Sequence, residues 1–281
     1  FTQDKHSISY GVFTKSLDGA SLDVSSYKID EIGGSLGYGI PTTESTRINA
    51  DLALSSRDIV CGTTFAGSGY EPTQCSNGDK TEIKTNLNWS FNSLDDYNFP
   101  TEGQKTRVSA DVALPIADFR YIKFDANHDS YHPLPNDLVF KVNADIGLAR
   151  GYGNKELPFF KRYHSGGSSS VRGFNFNSLG ATYANGKAKG GELSLLAGTA
   201  IISPLKFIKD SDNMRMSAFI DAGGVNEKIS TFTLDEIRAS AGVAFSWLTP
   251  VGPIGIYAAQ PIIKKSSDKT KTVEFTLGTS F

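Results

Sequence analysis

The chain has 281 residues, with 28 Lys and Arg against 30 Asp and Glu, a formal net charge of -2 and a pI near 6.1. No basic field points to nucleic acid. The longest apolar stretch, Leu193 to Ile202, is broken by polar residues and stops before Pro204, well short of the roughly 20 residues that a membrane helix needs. The opening Phe1-Thr2-Gln3-Asp4-Lys5-His6 has neither the charged nor the apolar region of a signal peptide, so the chain reads as mature, as a fragment, or as both.

From the N-terminus onward, apolar and polar residues alternate with period two, and no segment carries a 3.6-residue stripe with helix caps. Strands are expected near 6–16, 28–40 and 46–57. The next connection holds the two cysteines, Cys61 and Cys75, in a segment rich in Gly, Thr and Ser. They are either free thiols or, the sharper reading, a disulfide closing an exposed loop in an oxidising compartment. Two cysteines without a nearby histidine fall short of a metal site. Strands follow near 81–93, 104–114, 119–130 and 137–149; in the first, Ile83, Thr85, Leu87, Trp89 and Phe91 alternate with Glu82, Lys84, Asn86, Asn88 and Ser90. Residues 150–190 then form the longest non-periodic stretch, containing Gly166-Gly167-Ser168-Ser169-Ser170-Val171-Arg172-Gly173-Phe174. Loops that long are usually functional or disordered, and a buried Arg172 needs a carboxylate partner. Strands near 191–202, 213–223, 236–248, 253–262 and 271–281 complete a set of about twelve.

These strands are long, about 10–13 residues against the usual 5–6, which suits a tilted membrane-spanning strand. Alternation alone does not say which face is wet: a soluble sandwich buries its apolar face, whereas a membrane barrel turns it to lipid. Three details select an all-β transmembrane antiparallel barrel. Aromatics fall near strand ends (Phe13, Tyr38, Trp89, Phe91, Tyr121, Trp247, Tyr257, Phe281), as interfacial girdles require. Short connections (Pro41–Ser45, Leu94–Gly103, Thr249–Pro253) alternate with long ones (58–80, 150–190, 224–235). The last strand places Val273, Phe275, Leu277, Thr279 and Phe281 on one face. With the C-terminus at the short-turn, periplasmic end, 150–190 and the cysteine segment lie outside, where a disulfide is stable.

Four segments add a resemblance. Val171-Arg172-Gly173-Phe174 follows the Gly/Ser run; Phe99-Pro100-Thr101-Glu102-Gly103 lies in a short turn; Trp247-Leu248-Thr249-Pro250-Val251-Gly252-Pro253 precedes Ala259-Gln260-Pro261; and the chain closes on Phe275-Thr276-Leu277-Gly278-Thr279-Ser280-Phe281. In this order they resemble, respectively, the lumenal-loop signature, a periplasmic turn, the penultimate hairpin and the C-terminal signal (Phe275, Leu277, Gly278, Phe281) of the BamA family. These are barrel-assembly factors of the bacterial outer membrane, within the superfamily that also holds two-partner-secretion transporters. The resemblance makes residues 1–281 one partial C-terminal barrel domain, whose long extracellular loop folds into the lumen. It implies a sixteen-stranded barrel with a weak seam between first and last strands. The seam opens sideways so that exposed edges template incoming strands, a form of β-augmentation, while the barrel thins the nearby bilayer. Implied partners are unfolded outer-membrane proteins, the lipid bilayer and accessory lipoproteins, with no cofactor, no metal and no nucleic acid. About twelve strands stand here, the first resembling the family's fifth, and the periplasmic POTRA domains have no counterpart. A truncated piece is therefore expected, free to close on itself, swap or curl open.

Strand phase predicts the partner of the arginine. With Met214, Met216, Ala218 and Ile220 toward lipid, Arg215, Ser217, Phe219 and Asp221 face the lumen, and Asp221 falls where the family places a lumenal acid that pairs with the loop arginine. The family's second acid, four residues before a turn proline, is here Ala200, inward-facing if Leu193, Leu195, Ala197 and Ile201 face out. Arg172 is expected to pair with Asp221, with Glu192 the weaker candidate, contributing on the order of 1.5–3 kcal/mol; the bland alternative is a solvated loop arginine. No enzyme is expected. His128 and His132 sit at a strand end, where i, i+4 spacing has no metal-site meaning, and His164 near Ser165 and Ser168–Ser170 shows no acid–base order. A passive pore lined by Glu82, Lys84, Lys141, Asp145, Arg215 and Asp221 is one alternative. A TamA-like or two-partner-secretion transporter is another.

Overall fold

The computed structural model describes residues 5–19, 24, 26–62, 65, 73–75, 78–205, 213–250 and 252–277. Twelve strands run β1 (Ser7–Asp18), β2 (Tyr27–Pro41), β3 (Thr46–Cys61), β4 (Lys80–Asn92), β5 (Gly103–Ala113), β6 (Tyr121–Pro133), β7 (Val139–Gly151), β8 (Leu193–Pro204), β9 (Met214–Asn226), β10 (Arg238–Thr249), β11 (Gly252–Ile263) and β12 (Val273–Leu277). Each pairs antiparallel with its neighbour in sequence, in one sheet ordered β1 to β12. Among the described residues no ladder joins β12 to β1. Every expected strand is present; β3 continues to Cys61 and β9 to Asn226.

Burial decides what alternation left open. Ile32, Leu36, Leu52, Leu54, Leu87, Ile220 and Val243 are exposed, while Arg57, Glu82, Asp221, Arg238 and Ser240 are buried. A water-soluble sandwich has the opposite arrangement. An apolar exterior around a polar interior is a transmembrane barrel wall. Leu193 is an exception: its register is outward, yet it is 7 % exposed at the rim, between Leu148 and Asn226. Tyr121 and Tyr257 correct the girdle reading. Both lie on the inward phase, fully buried, and their hydroxyls donate to Glu82 and Glu274.

Connections alternate between the two ends, but lengths overlap: 93–102 at the short-turn end is longer than 114–120 at the other. The segment 93–102 keeps its shape because the Asp95 carboxylate accepts from the Thr101 and Glu102 N–H groups and the Thr101 hydroxyl. Slight burial opposes ionisation there, yet those hydrogen bonds hold the Asp95 pKa down at about 2. At the opposite end, residues 152–192 fold back against the polar face. Val171 and Phe174 reach 0 % exposure and Leu179 2 %.

Candidate functional site

The site is built where the 152–192 connection meets the inner wall. Positive-φ glycines shape its tip. Gly166 has φ +106, and a Cβ there would stand 2.4 Å from the Asn175 carbonyl oxygen; Gly173 has φ +90 with Ala259 Cβ 3.2 Å from the corresponding point. A side chain strains such backbone at both positions and at Gly166 also collides with the Asn175 carbonyl; the positive φ accounts for the glycine after the arginine. Local bonds complete the turn: the Gly166 N–H donates to Ser170 Oγ at 2.7 Å and the Leu179 N–H to the Ser165 carbonyl at 3.0 Å.

This tip holds Arg172 against β9. Its Nε lies 2.7 Å from Asp221 Oδ2 and its Nη2 2.8 Å from Oδ1, while its backbone N–H donates to Oδ2 at 3.2 Å. A bidentate guanidinium–carboxylate fork is the strong geometry for such a pair. The Arg172 and Asp221 side chains are 13 % and 4 % exposed, so solvent screens them little. The guanidinium also covers the Phe219 ring at 3.3 Å from its centroid. Ala200 lies opposite Phe219 in the β8–β9 ladder and packs with Phe219, Ala244, Tyr257 and Ala259. An aromatic face and small residues therefore surround the arginine where the family resemblance led to expect a second acid. Glu192 stands at the rim, its N–H donating to the carbonyls of Asn226 and Glu227; the carboxylate described against Arg172 is that of Asp221.

The rest of the signature grips the β11–β12 connection. Phe174 forms an antiparallel bridge with Thr270, the Asn175 N–H donates to the Lys269 carbonyl at 2.9 Å, and the Lys271 N–H to the Gly173 carbonyl at 3.0 Å. Asp268 in the same connection pairs with the buried Arg238 at 2.5 Å.

A second anchor, which strand phase alone did not reveal, holds the beginning of the long connection. Arg57 Nη2 lies 2.6 Å from Glu31 Oε1, and its Nη1 2.7 Å from Glu82 Oε2. Tyr121 donates its hydroxyl to Glu82 at 3.2 Å, and Lys161, from the connection, approaches Glu82 at 3.6 Å. Burial pushes the Lys161 pKa down to about 8 while Glu82 opposes it. Aromatic rings of Tyr27, Phe65, Phe159 and Tyr183 contact one another beside it. Cys61 and Cys75 are joined in a disulfide in the same cluster, with Cα atoms 5.6 Å apart. The sequence signal was present in part: Arg57 and Glu82 are inward-phase charges of opposite sign.

Below the plug, a cavity of 740 Å³ lies near the short turns, lined by Asp129, Lys141, Arg215 and Ser217 among others. Phe99 reaches across it from the 93–102 turn, its ring centroid 4.5 Å from the Arg215 guanidinium. The expected C-terminal signal is described in part: Phe275 and Leu277 are exposed on β12, and Gly278 and Phe281 lie outside the described residues. Of the histidines, His128 bonds Thr106 on the outer face and His132 stands near Phe140. His164 is tucked into the long connection, where burial pushes its pKa down to about 4.

Over residues 1–281 the chain matches the Omp85 superfamily domain. The chain belongs to the Omp85 superfamily. It is 30 % identical, along its whole length, to the outer membrane protein assembly factor BamA of Neisseria meningitidis, covering 40 % of that protein. A SAM50-like protein of Schizosaccharomyces pombe is 22 % identical over 73 % of the chain and 46 % of its own length. Among solved structures, BamA from Haemophilus ducreyi lacking POTRA domains 1–3 superposes with a TM-score of 0.85 at 26 % identity, over 98 % of this chain and 59 % of that one. CdiB from Acinetobacter baumannii shares the fold at a TM-score of 0.56 and 14 % identity, over 95 % of this chain and 46 % of that one. The chain is an outer-membrane barrel region of BamA-like architecture that spans less than two thirds of these relatives.

Proposed function

We propose that this chain is the barrel region of a bacterial outer-membrane protein assembly factor, which helps unfolded barrel proteins fold into the membrane through a lateral seam. The observation that carries the reading is the Arg172–Asp221 pair, which seats a long connection inside an Omp85 barrel. A plugged lumen leaves the wall, not the interior, as the route for a client. The edge of β12, the last strand described, offers backbone donors and acceptors to an incoming strand, and lipid makes it costly for such an edge to stay unpaired. No covalent chemistry is assigned; the partners are unfolded outer-membrane proteins and the bilayer, with accessory lipoproteins joining in the assembled machine.

The test is reconstitution of the chain in liposomes with an unfolded outer-membrane barrel protein as client. Faster client folding than in empty liposomes is expected, and equal rates overturn the reading. A passive channel is the alternative; the BamA and SAM50-like relatives do not favour it, and the 740 Å³ cavity mixes charged residues with Phe99, Trp247 and Leu248. Planar-bilayer recordings separate the two: stable large conductance supports the channel and counts against the plugged assembly barrel.

A further inference from the structure

A chain of side-chain contacts leads from the Arg172 seat to the last strand. Phe219, beneath the guanidinium, meets Tyr257 edge-on with centroids 6.4 Å apart and planes at 86°. Tyr257 is 1 % exposed, and a buried phenol needs a partner for its hydroxyl. Its partner is Glu274, the residue directly opposite in the β11–β12 ladder. Glu274 Oε1 in turn takes Lys271 Nζ at 3.2 Å, and the Lys271 N–H donates to the Gly173 carbonyl at 3.0 Å. The path thus leaves the signature loop at Arg172 and returns to it at Gly173, passing through β9, β11 and β12.

We infer that Tyr257 is a positioning residue that couples the seating of the signature loop to the pairing of β12. The ring senses the loop through Phe219, and the hydroxyl holds the carboxylate of β12. Lys271 supplies the return contact, so that withdrawal of the loop removes support from Glu274 on two sides. An ordinary cross-strand pair stabilises only its own ladder; this one shares members with the loop, and shared networks respond as units. Its bearing on strand insertion rests on the proposed function, since β12 there is one edge of the seam. The coupling itself does not.

The experiment is amide hydrogen exchange, read by mass spectrometry, on the full chain in lipid nanodiscs. Asp221→Asn is expected to speed exchange in 268–277 together with the loop, by about 5-fold or more. In a Tyr257→Phe background, which keeps the ring and removes the hydroxyl, β12 is expected to exchange faster already, and adding Asp221→Asn changes it little. Unchanged β12 exchange in Asp221→Asn overturns the coupling, as does an equal increment in both backgrounds, which is the result for a merely local hydrogen bond. Should Asp221→Asn fail to fold, Arg172→Lys weakens the same seat and gives the same readout. Coupled exchange without accelerated client folding retains this inference and removes the proposed function.

Discussion

The long connection is held at two places whose chemistry differs. Near its start, Arg57 is shared by Glu31 and Glu82, Lys161 and Tyr121 also address Glu82, and aromatic rings and a disulfide pack alongside. At its tip, Arg172 meets Asp221 in a bidentate fork over the face of Phe219. A shared network tolerates loss of a peripheral member, whereas a bidentate pair loses its geometry when its acceptor is changed. The first anchor is therefore expected to withstand single substitutions better than the second.

The largest effect is expected at the tip. Asp221→Asn removes the buried carboxylate that forks with Arg172, at a cost of about 3–5 kcal/mol. Trypsin cleavage after Arg172 in the reconstituted chain should accelerate on the order of 100-fold, the converted equivalent of about 3 kcal/mol; unchanged cleavage means that the pair does not hold the loop. Next, the Cys61→Ser, Cys75→Ser double variant opens a cross-link of sequence separation 14 and should cost about 3 kcal/mol by chain entropy. Denaturant unfolding measures that loss, and trypsin cleavage after Arg172 should stay slow if the two anchors are independent.

A smaller effect depends on pH. Burial sets His164 at about 4, below its ordinary value of 6.5. The folded chain therefore binds fewer protons there than the unfolded chain. Its stabilising contribution is fully present above about pH 6.5 and declines as pH falls toward about 4, by on the order of 2 kcal/mol at pH 5. Exchange of the 163–180 amides, corrected for intrinsic rates, should reveal this, and His164→Gln should flatten the profile. Smallest is Glu31→Gln. Arg57 keeps Glu82, so a loss of about 1 kcal/mol or less is expected, visible as a change of less than about 5-fold in trypsin cleavage after Lys161. A loss as large as that of Asp221→Asn would erase the contrast between the anchors.

Legibility followed the range of each interaction. Strand positions were readable because side-chain direction alternates locally, and Asp221 was placed inward by the phase of β9 alone. The network around Arg57 was not readable in that way. It depends on the registers that set Glu31 opposite Arg57 and Ser55 opposite Glu82, and on Lys161 arriving from a connection without periodicity. Proximity to a strand end suggests girdle positions for Tyr121 and Tyr257, but strand phase turns both rings inward.

By itself the sequence determined twelve long alternating strands, the ends at which connections fall, and a signature loop with one arginine to satisfy. Periodicity is a local property of the backbone, so a linear chain displays it. Tertiary structure decided that Phe219 and small residues surround Arg172 where a second acid was expected, that Lys161 reaches Glu82, and that Tyr257 reaches Glu274. Those outcomes depend on which strands become neighbours and how a 41-residue connection, 152–192, packs against them. No local pattern encodes distances between groups that only folding brings together.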